Sequence, residues 1–345
     1  MEETTVELKT DTPLDVIIAD LESLIPKRME EAKVPGLSIA LVRDAELRWS
    51  RGFGIKSTAT KEPVTAETVF SAQSLSKPVF AYAVLKLCEK GLLELDAPLT
   101  EYLPEPYLPS EPRLGFVTAR HVLNHTTGFP NWRPEGKALK ILFTPGEKFS
   151  YSGEGYVYLQ KAVEHLTGQP LADYMKANVL EPFEMRHSSY VLIDAYEKEA
   201  EGHDREGKPL GRPNWTKANA AGSLYSTATD YARFIIEVLK PSRRDAFRLS
   251  EETVREMLKP QVSVYFSIYW GLGWGVQHSH YGNSFWQWGQ GYRDSCFQAF
   301  AVGFKEQGLG VVIMTNSANG LRICEEIILH AIGGEHPAFA DYLKI

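Results

Sequence analysis

The chain has 345 residues, 43% of them hydrophobic and 23% charged, with a formal net charge of −7. Its 7 Trp, 16 Phe and 16 Tyr supply a sizeable core, which excludes a chain disordered as a whole. Acidic residues outnumber basic ones 44 to 37, and the single short basic cluster, Lys240 with Arg243 and Arg244, reads as a surface turn. A protein driven onto a nucleic-acid backbone carries the opposite balance, so no nucleic-acid partner is expected.

Three cysteines, Cys88, Cys296 and Cys324, are odd in number and far apart, giving neither a disulfide framework nor a paired metal motif. The first residues are acidic and polar, without the basic start and apolar core of a signal peptide. The longest apolar runs, such as residues 308–314, are too short to span a bilayer. The expectation is a cytoplasmic protein with no membrane span, no cofactor and no metal. Its oligomeric state is left open.

Residues 13–32 read as a helix, with Val16, Ile17, Leu21, Leu24 and Ile25 recurring at three and four. The string GLSIALVRDAELRWSRGFG, residues 36–54, reads as two antiparallel strands joined by a turn at 43–46. A strongly helical pattern follows over 76–90, with Pro78 in the first turn, where its missing N–H costs little, and Gly91 as the stop. Residues 92–240 contain several short helical patterns separated by prolines and loops, and 250–258 forms another helix. Strand patterns return at 270–277, 284–289, 295–304 and 309–316, and a helix at 320–332 closes the chain. The predicted fold is α+β, of the α/β three-layer type. Residues 1–75 and 260–345 are expected to share one antiparallel sheet flanked by helices. Residues 76–259 form a mostly helical region, with the active site at the interface.

Three strings carry chemistry. In VFSAQSLSKPVFAYAVLKL, Ser74 and Lys77 form an S-x-x-K pair at a helix start, one turn apart and on one face. A serine hydroxyl needs its proton removed, and a lysine of lowered pKa can remove it. In FTPGEKFSYSGEGYVYL, Tyr151 follows a Pro-Gly turn and can aim its hydroxyl at that nucleophile. In FWQWGQGYRDS, Gly289 would let a ligand approach strand backbone closely. His121 and His125, four apart, have no acidic residue nearby to complete a zinc pattern. His278 and His280, near a hairpin turn, are candidates for lining the cleft.

Together the three strings resemble the serine β-lactamase and penicillin-binding-protein superfamily, most closely its class C β-lactamase-like branch with D,D-peptidases and family VIII-type carboxylesterases. Weaker signatures at 120–130, 220–234 and 308–316 agree, and the resemblance covers residues 15–335. It implies Ser74 as the acylated nucleophile, Lys77 as base or proton shuttle, and Tyr151 as the group exchanging protons with nucleophile and leaving group. It also implies an oxyanion hole from the backbone N–H of Ser74 and of the residue after a K-T-G-like triplet. That triplet is Gln287-Trp288-Gly289, making Gln290 the donor. A one-residue shift, with Gly291 as donor, is the alternative. Two positions depart from the family pattern. The asparagine of Y-x-N is Gly153, and the cationic head of K-T-G is the neutral Gln287. Gln287, Trp288, Gly289, Gly153 and Arg293 are the expected substrate-binding positions, Arg293 being a cation that could reach the carboxylate site and so keeps the peptidase reading open. The implied activity is a serine hydrolase forming an acyl-enzyme, foremost a carboxylesterase on small or medium neutral esters. A D-stereospecific peptidase, amidase or class C-like β-lactamase, and a catalytically silent binding protein of the same fold, are the competing readings.

Overall fold

The computed structural model describes residues 7–192, 198–242, 244–291 and 296–344. The expectations placed on Arg243 and Arg293 lie outside the described residues. In chain order, α1 (Leu14–Ala32) leads into strands β1 (Gly36–Arg43) and β2 (Glu46–Gly54), then a short strand β3 (Phe70–Gln73) and α2 (Ser76–Glu89). The middle of the chain holds α3 (Ala119–Leu123), α4 (Gly153–Thr167), α5 (Leu171–Met175) and the short strands β4 (Gly202–His203), β5 (Pro209–Gly211) and β6 (Leu224–Ser226). It ends with α6 (Ala228–Leu239) and α7 (Glu251–Leu258). Strands β7 (Val262–Tyr265), β8 (Ile268–Trp270), β9 (Gly275–Ser279), β10 (Gly282–Gln290), β11 (Gln298–Phe304) and β12 (Leu309–Thr315) precede α8 (Leu321–Ile332).

Eight strands form one antiparallel sheet in the order β2-β1-β12-β11-β10-β9-β8-β7. Strands from both ends of the chain therefore meet at β1 and β12, where Leu37 lies opposite Thr315 and Val42 opposite Gly310. The expected turn between β1 and β2 is a two-residue connection, Asp44-Ala45, with both residues at positive φ (58° and 54°), the geometry that suits the twist of a tight hairpin.

The sheet is buried on both faces. Ile39 and Leu41 of β1, Phe300 and Val302 of β11 and Val311 and Ile313 of β12 pack against α1 and α8. Their neighbours Ala40, Val42, Ala299, Ala301, Val312 and Met314 point the other way, into a larger core with α2, α4 and α6. Alternation along each strand thus produces helices, sheet and helices in three layers, an α+β fold with a large antiparallel sheet flanked by helices.

Two elements differ from expectation. The predicted strand at 270–277 is split: β8 ends at Trp270, a turn closes with Gly271 N–H on the Trp274 carbonyl, and β9 starts at Gly275. Gly273 there has φ +97°, and a Cβ on it would lie 2.4 Å from Ala81 Cβ. The small sheet β3–β6, unanticipated, carries the chain into the residue before Ser74. No described helix is long and apolar enough to cross a membrane.

The end of α6 is tied down by a buried ion pair. Arg248 Nε donates to Glu237 at 2.9 Å, both side chains being 6% exposed, and its other nitrogens reach Asp245 and the Pro182 carbonyl. Glu237→Ala leaves that guanidinium buried without its main counter-charge and is expected to lower the unfolding free energy by about 3–5 kcal/mol. The double change Glu237→Leu, Arg248→Met should cost less than the single one. Denaturant unfolding of the three proteins checks both.

Candidate active site

Ser74 lies between β3 and α2. Gln73, just before it, has a left-handed φ of +52°, a conformation that costs energy for a residue with a Cβ and that concentrates at functional turns. Around Ser74 the turn is braced from several sides. Ser76 Oγ donates to the Gln73 carbonyl at 2.5 Å and accepts the Leu224 N–H at 2.9 Å. The hydroxyls of Tyr231 and Tyr190 donate to the carbonyls of Leu75 and Ser76 at 3.0 and 2.7 Å.

Lys77 occupies the first turn of α2 and is completely buried. Its Nζ lies 3.0 Å from Ser74 Oγ and 2.7 Å from the Ala221 carbonyl oxygen. Gln160 of α4 steadies the loop carrying that carbonyl, donating to Ala218 O and accepting from Ala220 N–H. The rings of Tyr151, Tyr156 and Trp132 surround the amine, with centroids 4.9, 5.7 and 5.9 Å away. Loss of water around the ammonium brings the Lys77 pKa down to about 7, so a neutral amine is available near neutral pH.

Tyr151 stands just ahead of α4, whose first turn is capped by Ser152 Oγ on the Gly155 N–H. Gln287 of β10 donates its amide N–H to the Tyr151 hydroxyl at 2.9 Å and to the Trp288 carbonyl at 3.0 Å. Gln287 is fully buried, so this expected substrate-binding position presents its amide to Tyr151. Trp288, its neighbour along the strand, points to the opposite face. There it packs with Trp270, Trp286 and Tyr342, and its ring centroid is 4.7 Å from that of Tyr151. Gly289 returns to the Ser74 side. A Cβ there would lie 2.4 Å from the Ala72 carbonyl oxygen, so only glycine lets β10 pass this close to the turn that carries Ser74.

The two register readings of the triplet differ in geometry. Gly291 N–H already donates to the Phe297 carbonyl at 2.9 Å. In an antiparallel ladder the N–H direction alternates, so that of Gln290 points off the other edge of β10. The β9 ladder on that edge ends at the Trp286–Gly275 pair.

His125 lies beneath Tyr151, an arrangement that sequence spacing did not indicate. Its carbonyl accepts the Ser150 N–H at 2.8 Å and its Nδ1 accepts the Ser152 N–H at 3.0 Å, so one residue grips the backbone on both sides of Tyr151. Its ring stacks on Tyr151 at 4.2 Å. Burial and then the nearby Lys77 push the His125 pKa well below that of a free histidine, so it stays neutral. Its Nδ1 acceptor role assigns the remaining ring hydrogen to Nε2. His121, four residues earlier, caps α3, with Nδ1 facing the Phe116 carbonyl at 3.0 Å. Among the described residues no group of His, Cys, Asp and Glu is arranged to hold a metal. His278, an expected cleft residue, lies in a separate groove between α7 and the sheet with Lys305 and Glu251.

Gly153, the other departure from the family pattern, sits beneath an indole. A Cβ at this position would lie 2.8 Å from Trp132 Cη2. Trp132 follows the 120–130 signature directly, in a proline-rich loop where no periodicity distinguishes it.

A family model described as Beta-lactamase matches residues 21–328. Esterase EstB of Burkholderia gladioli is 29% identical over 227 residues, 56% of this chain and 57% of that protein. A putative penicillin-binding protein, PbpX of Bacillus subtilis, is 27% identical over 282 residues, 76% of this chain and 68% of that protein. Penicillin-binding protein 4* of Bacillus subtilis is 29% identical over 189 residues, covering 40% of its length, so the matches span between 40% and 68% of these relatives. The octameric penicillin-binding protein homologue from Pyrococcus abyssi superposes with a TM-score of 0.76 at 26% identity, covering 88% of this chain and 74% of that one. With the family model spanning most of its length and this architecture around Ser74, the chain belongs to the β-lactamase and penicillin-binding-protein family of serine hydrolases.

Proposed function

We propose that this chain is a serine hydrolase working through an acyl-enzyme on Ser74, and that its substrates are small or medium neutral carboxylic esters. The observation that carries the reading is the buried Lys77 amine, brought down to about 7 and 3.0 Å from Ser74 Oγ. In the first half-reaction Ser74 Oγ bonds to the ester carbonyl carbon as Lys77 takes the hydroxyl proton. The N–H groups of Ser74 and Gln290 stabilise the oxyanion. The C–O bond to the alcohol then breaks, and the proton passes from Lys77 through Tyr151 to the departing alkoxide. In the second half, water attacks the acyl carbon and gives its proton to the same relay. Ser74 Oγ recovers a proton as the carboxylic acid leaves. Gln287 orients Tyr151 by donating to its oxygen, which leaves the phenolic hydrogen directed elsewhere in the site.

The preference for neutral esters rests on the same contact. Where the peptidases and lactamases of the family carry a cation, Gln287 offers an amide already engaged with Tyr151. A carboxylate brought to Gln287 meets a neutral amide, and charge-assisted bonds of about 1.5–3 kcal/mol to that position are forgone. The esterase among the relatives supports the reading, and the penicillin-binding proteins among them supply the competitor to be tested.

A panel of nitrophenyl esters, a chromogenic cephalosporin and D-Ala-D-Ala peptides is expected to show turnover on the esters foremost, with one acyl adduct on the peptide carrying Ser74. Full activity in Ser74→Ala, or an adduct elsewhere, overturns the assignment. A neutral ester should exceed its carboxylate-bearing counterpart in kcat/KM by at least about tenfold, a difference of about 1.4 kcal/mol. Gln287→Lys should recover part of the anionic rate, and Arg293→Ala should change the preference little. Tyr151→Phe should cost about 10²-fold or more.

Lys77 also ties activity to pH. As it loses its proton near pH 7, kcat/KM should rise through that region. An unfolded lysine titrates at roughly 10.4. The folded chain therefore takes up a proton on unfolding between about pH 7 and that value, and this group's contribution to stability increases with pH across the window. Lys77→Met removes the buried charge. It should raise the unfolding free energy by ~1–4 kcal/mol at pH 6, with the gain shrinking toward pH 10, while abolishing turnover. Denaturant melts of both proteins across this range read the difference.

A further inference from the structure

We infer that Trp132 is the wall of the acyl pocket and selects esters whose acyl part is aromatic or an extended alkyl chain; the inference rests on the esterase reading of the same site. Three observations place it. The indole ring centroid is 5.9 Å from Lys77 Nζ, so the ring borders the reacting groups. It is 44% exposed, whereas Tyr156, which also flanks the amine, is fully buried. It also occupies the volume next to residue 153, since a Cβ on Gly153 would stand 2.8 and 2.9 Å from two of its ring carbons. The indole and a side chain at 153 cannot coexist without rearrangement, so this chain has an apolar aromatic face where the family pattern has an amide.

The loop that carries the indole is also held in place. Ser152 Oγ donates to the Pro130 carbonyl at 2.8 Å, and Gly153 N–H to Asn131 Oδ1 at 3.0 Å. Glu154 N–H donates to the Asn131 carbonyl at 2.9 Å, and Arg133 to the Glu154 carboxylate at 2.9 Å. Residues 130, 131 and 133 are thus fastened to 152–154 on either side of Trp132, and a ring fixed in this way loses little freedom when a ligand covers it. The acyl group stays bonded to Ser74 through both half-reactions, beside the amine that Trp132 borders, and is the part of the substrate assigned to this wall.

The test uses nitrophenyl esters with a constant leaving group and acetyl, butyryl, hexanoyl or phenylacetyl acyl parts. Wild type is expected to favour hexanoyl and phenylacetyl over acetyl in kcat/KM by about tenfold or more, the range that apolar pockets give for added groups. Trp132→Ala should reduce that ratio at least about fivefold, and Trp132→Phe, which retains a ring, should keep most of it. Thermal melts confirm that each variant is folded, and Trp132→Phe serves if the alanine variant is not. A second series holding the acyl group as acetyl and enlarging the alcohol should be insensitive to the same substitutions. A flat acyl series in wild type, an unchanged ratio in folded Trp132→Ala, or a change confined to the alcohol series overturns the inference. Those outcomes leave Ser74-dependent ester turnover intact. Absence of any Ser74 adduct with all the esters overturns the esterase reading itself.

Discussion

A primary amine without water around it organises this molecule. The Lys77 side chain has no exposed surface, and its pKa falls to about 7 for that reason alone. A charge cannot be desolvated without a supporting shell, and the surrounding structure supplies one. The Ala221 carbonyl faces the nitrogen because Gln160 grips the loop before it, and Asn219 Oδ1 accepts the Ala221 N–H at 2.8 Å. Tyr190 and Tyr231 hold the carbonyls at the head of α2, which fixes Lys77 relative to Ser74. Gln160 comes from α4 and Tyr231 from α6, while Tyr190 and Asn219 lie in loops, so separate parts of the chain converge on one nitrogen.

The same low-dielectric surroundings decide the state of His125. A second cation beneath Tyr151 would oppose any charge on Lys77, and its pKa is driven down by burial and by that lysine. The imidazole is left as a neutral plate. It accepts one amide hydrogen at Nδ1 and, through its carbonyl, another, which keeps Tyr151 in place with no charge of its own. Gln287 engages Tyr151 from the sheet with an uncharged amide. The ionisable groups closest to the reaction are thereby reduced to the lysine and the tyrosine.

The layered fold was legible because both strand alternation and helical periodicity are strong. Ile39, Leu41 and Val42 marked β1, and Ile323, Ile327 and Ile328 marked α8, where the structure buries all of them. Ser74 and Lys77 were legible because one helical turn separates them, a local relation that sequence spacing encodes directly. Long-range contacts were not. His125 is 26 residues from Tyr151 (151 − 125), and its grip depends on a carbonyl and a ring nitrogen rather than on a pattern. Trp132 lies in a loop without periodicity, and its relation to Gly153 emerges only when two backbones are hydrogen-bonded side by side. Gln287 was read as a substrate contact because its position along β10 is correct. Its burial depends on where Tyr151 stands, which the strand alone does not encode. The break between β8 and β9 was hidden by a continuous apolar run, in which Gly273 at positive φ was the one sign of a turn.

The pairing of β1 with β12 has a consequence for how the chain is made. Leu37 and Thr315 are 278 residues apart (315 − 37), yet they are neighbours in the middle of the sheet. During synthesis β1 and β2 emerge early and remain a lone hairpin for tens of seconds, at elongation rates of about 5–20 residues per second. A two-stranded hairpin is marginal in water, and Leu37, Ile39 and Leu41 have only α1 to cover them until β12 and α8 exist. The nascent chain therefore presents an open, apolar strand edge to its surroundings until β12 is released. Closing so long a loop makes assembly of the central sheet a late event, one that holdase chaperones are suited to protect.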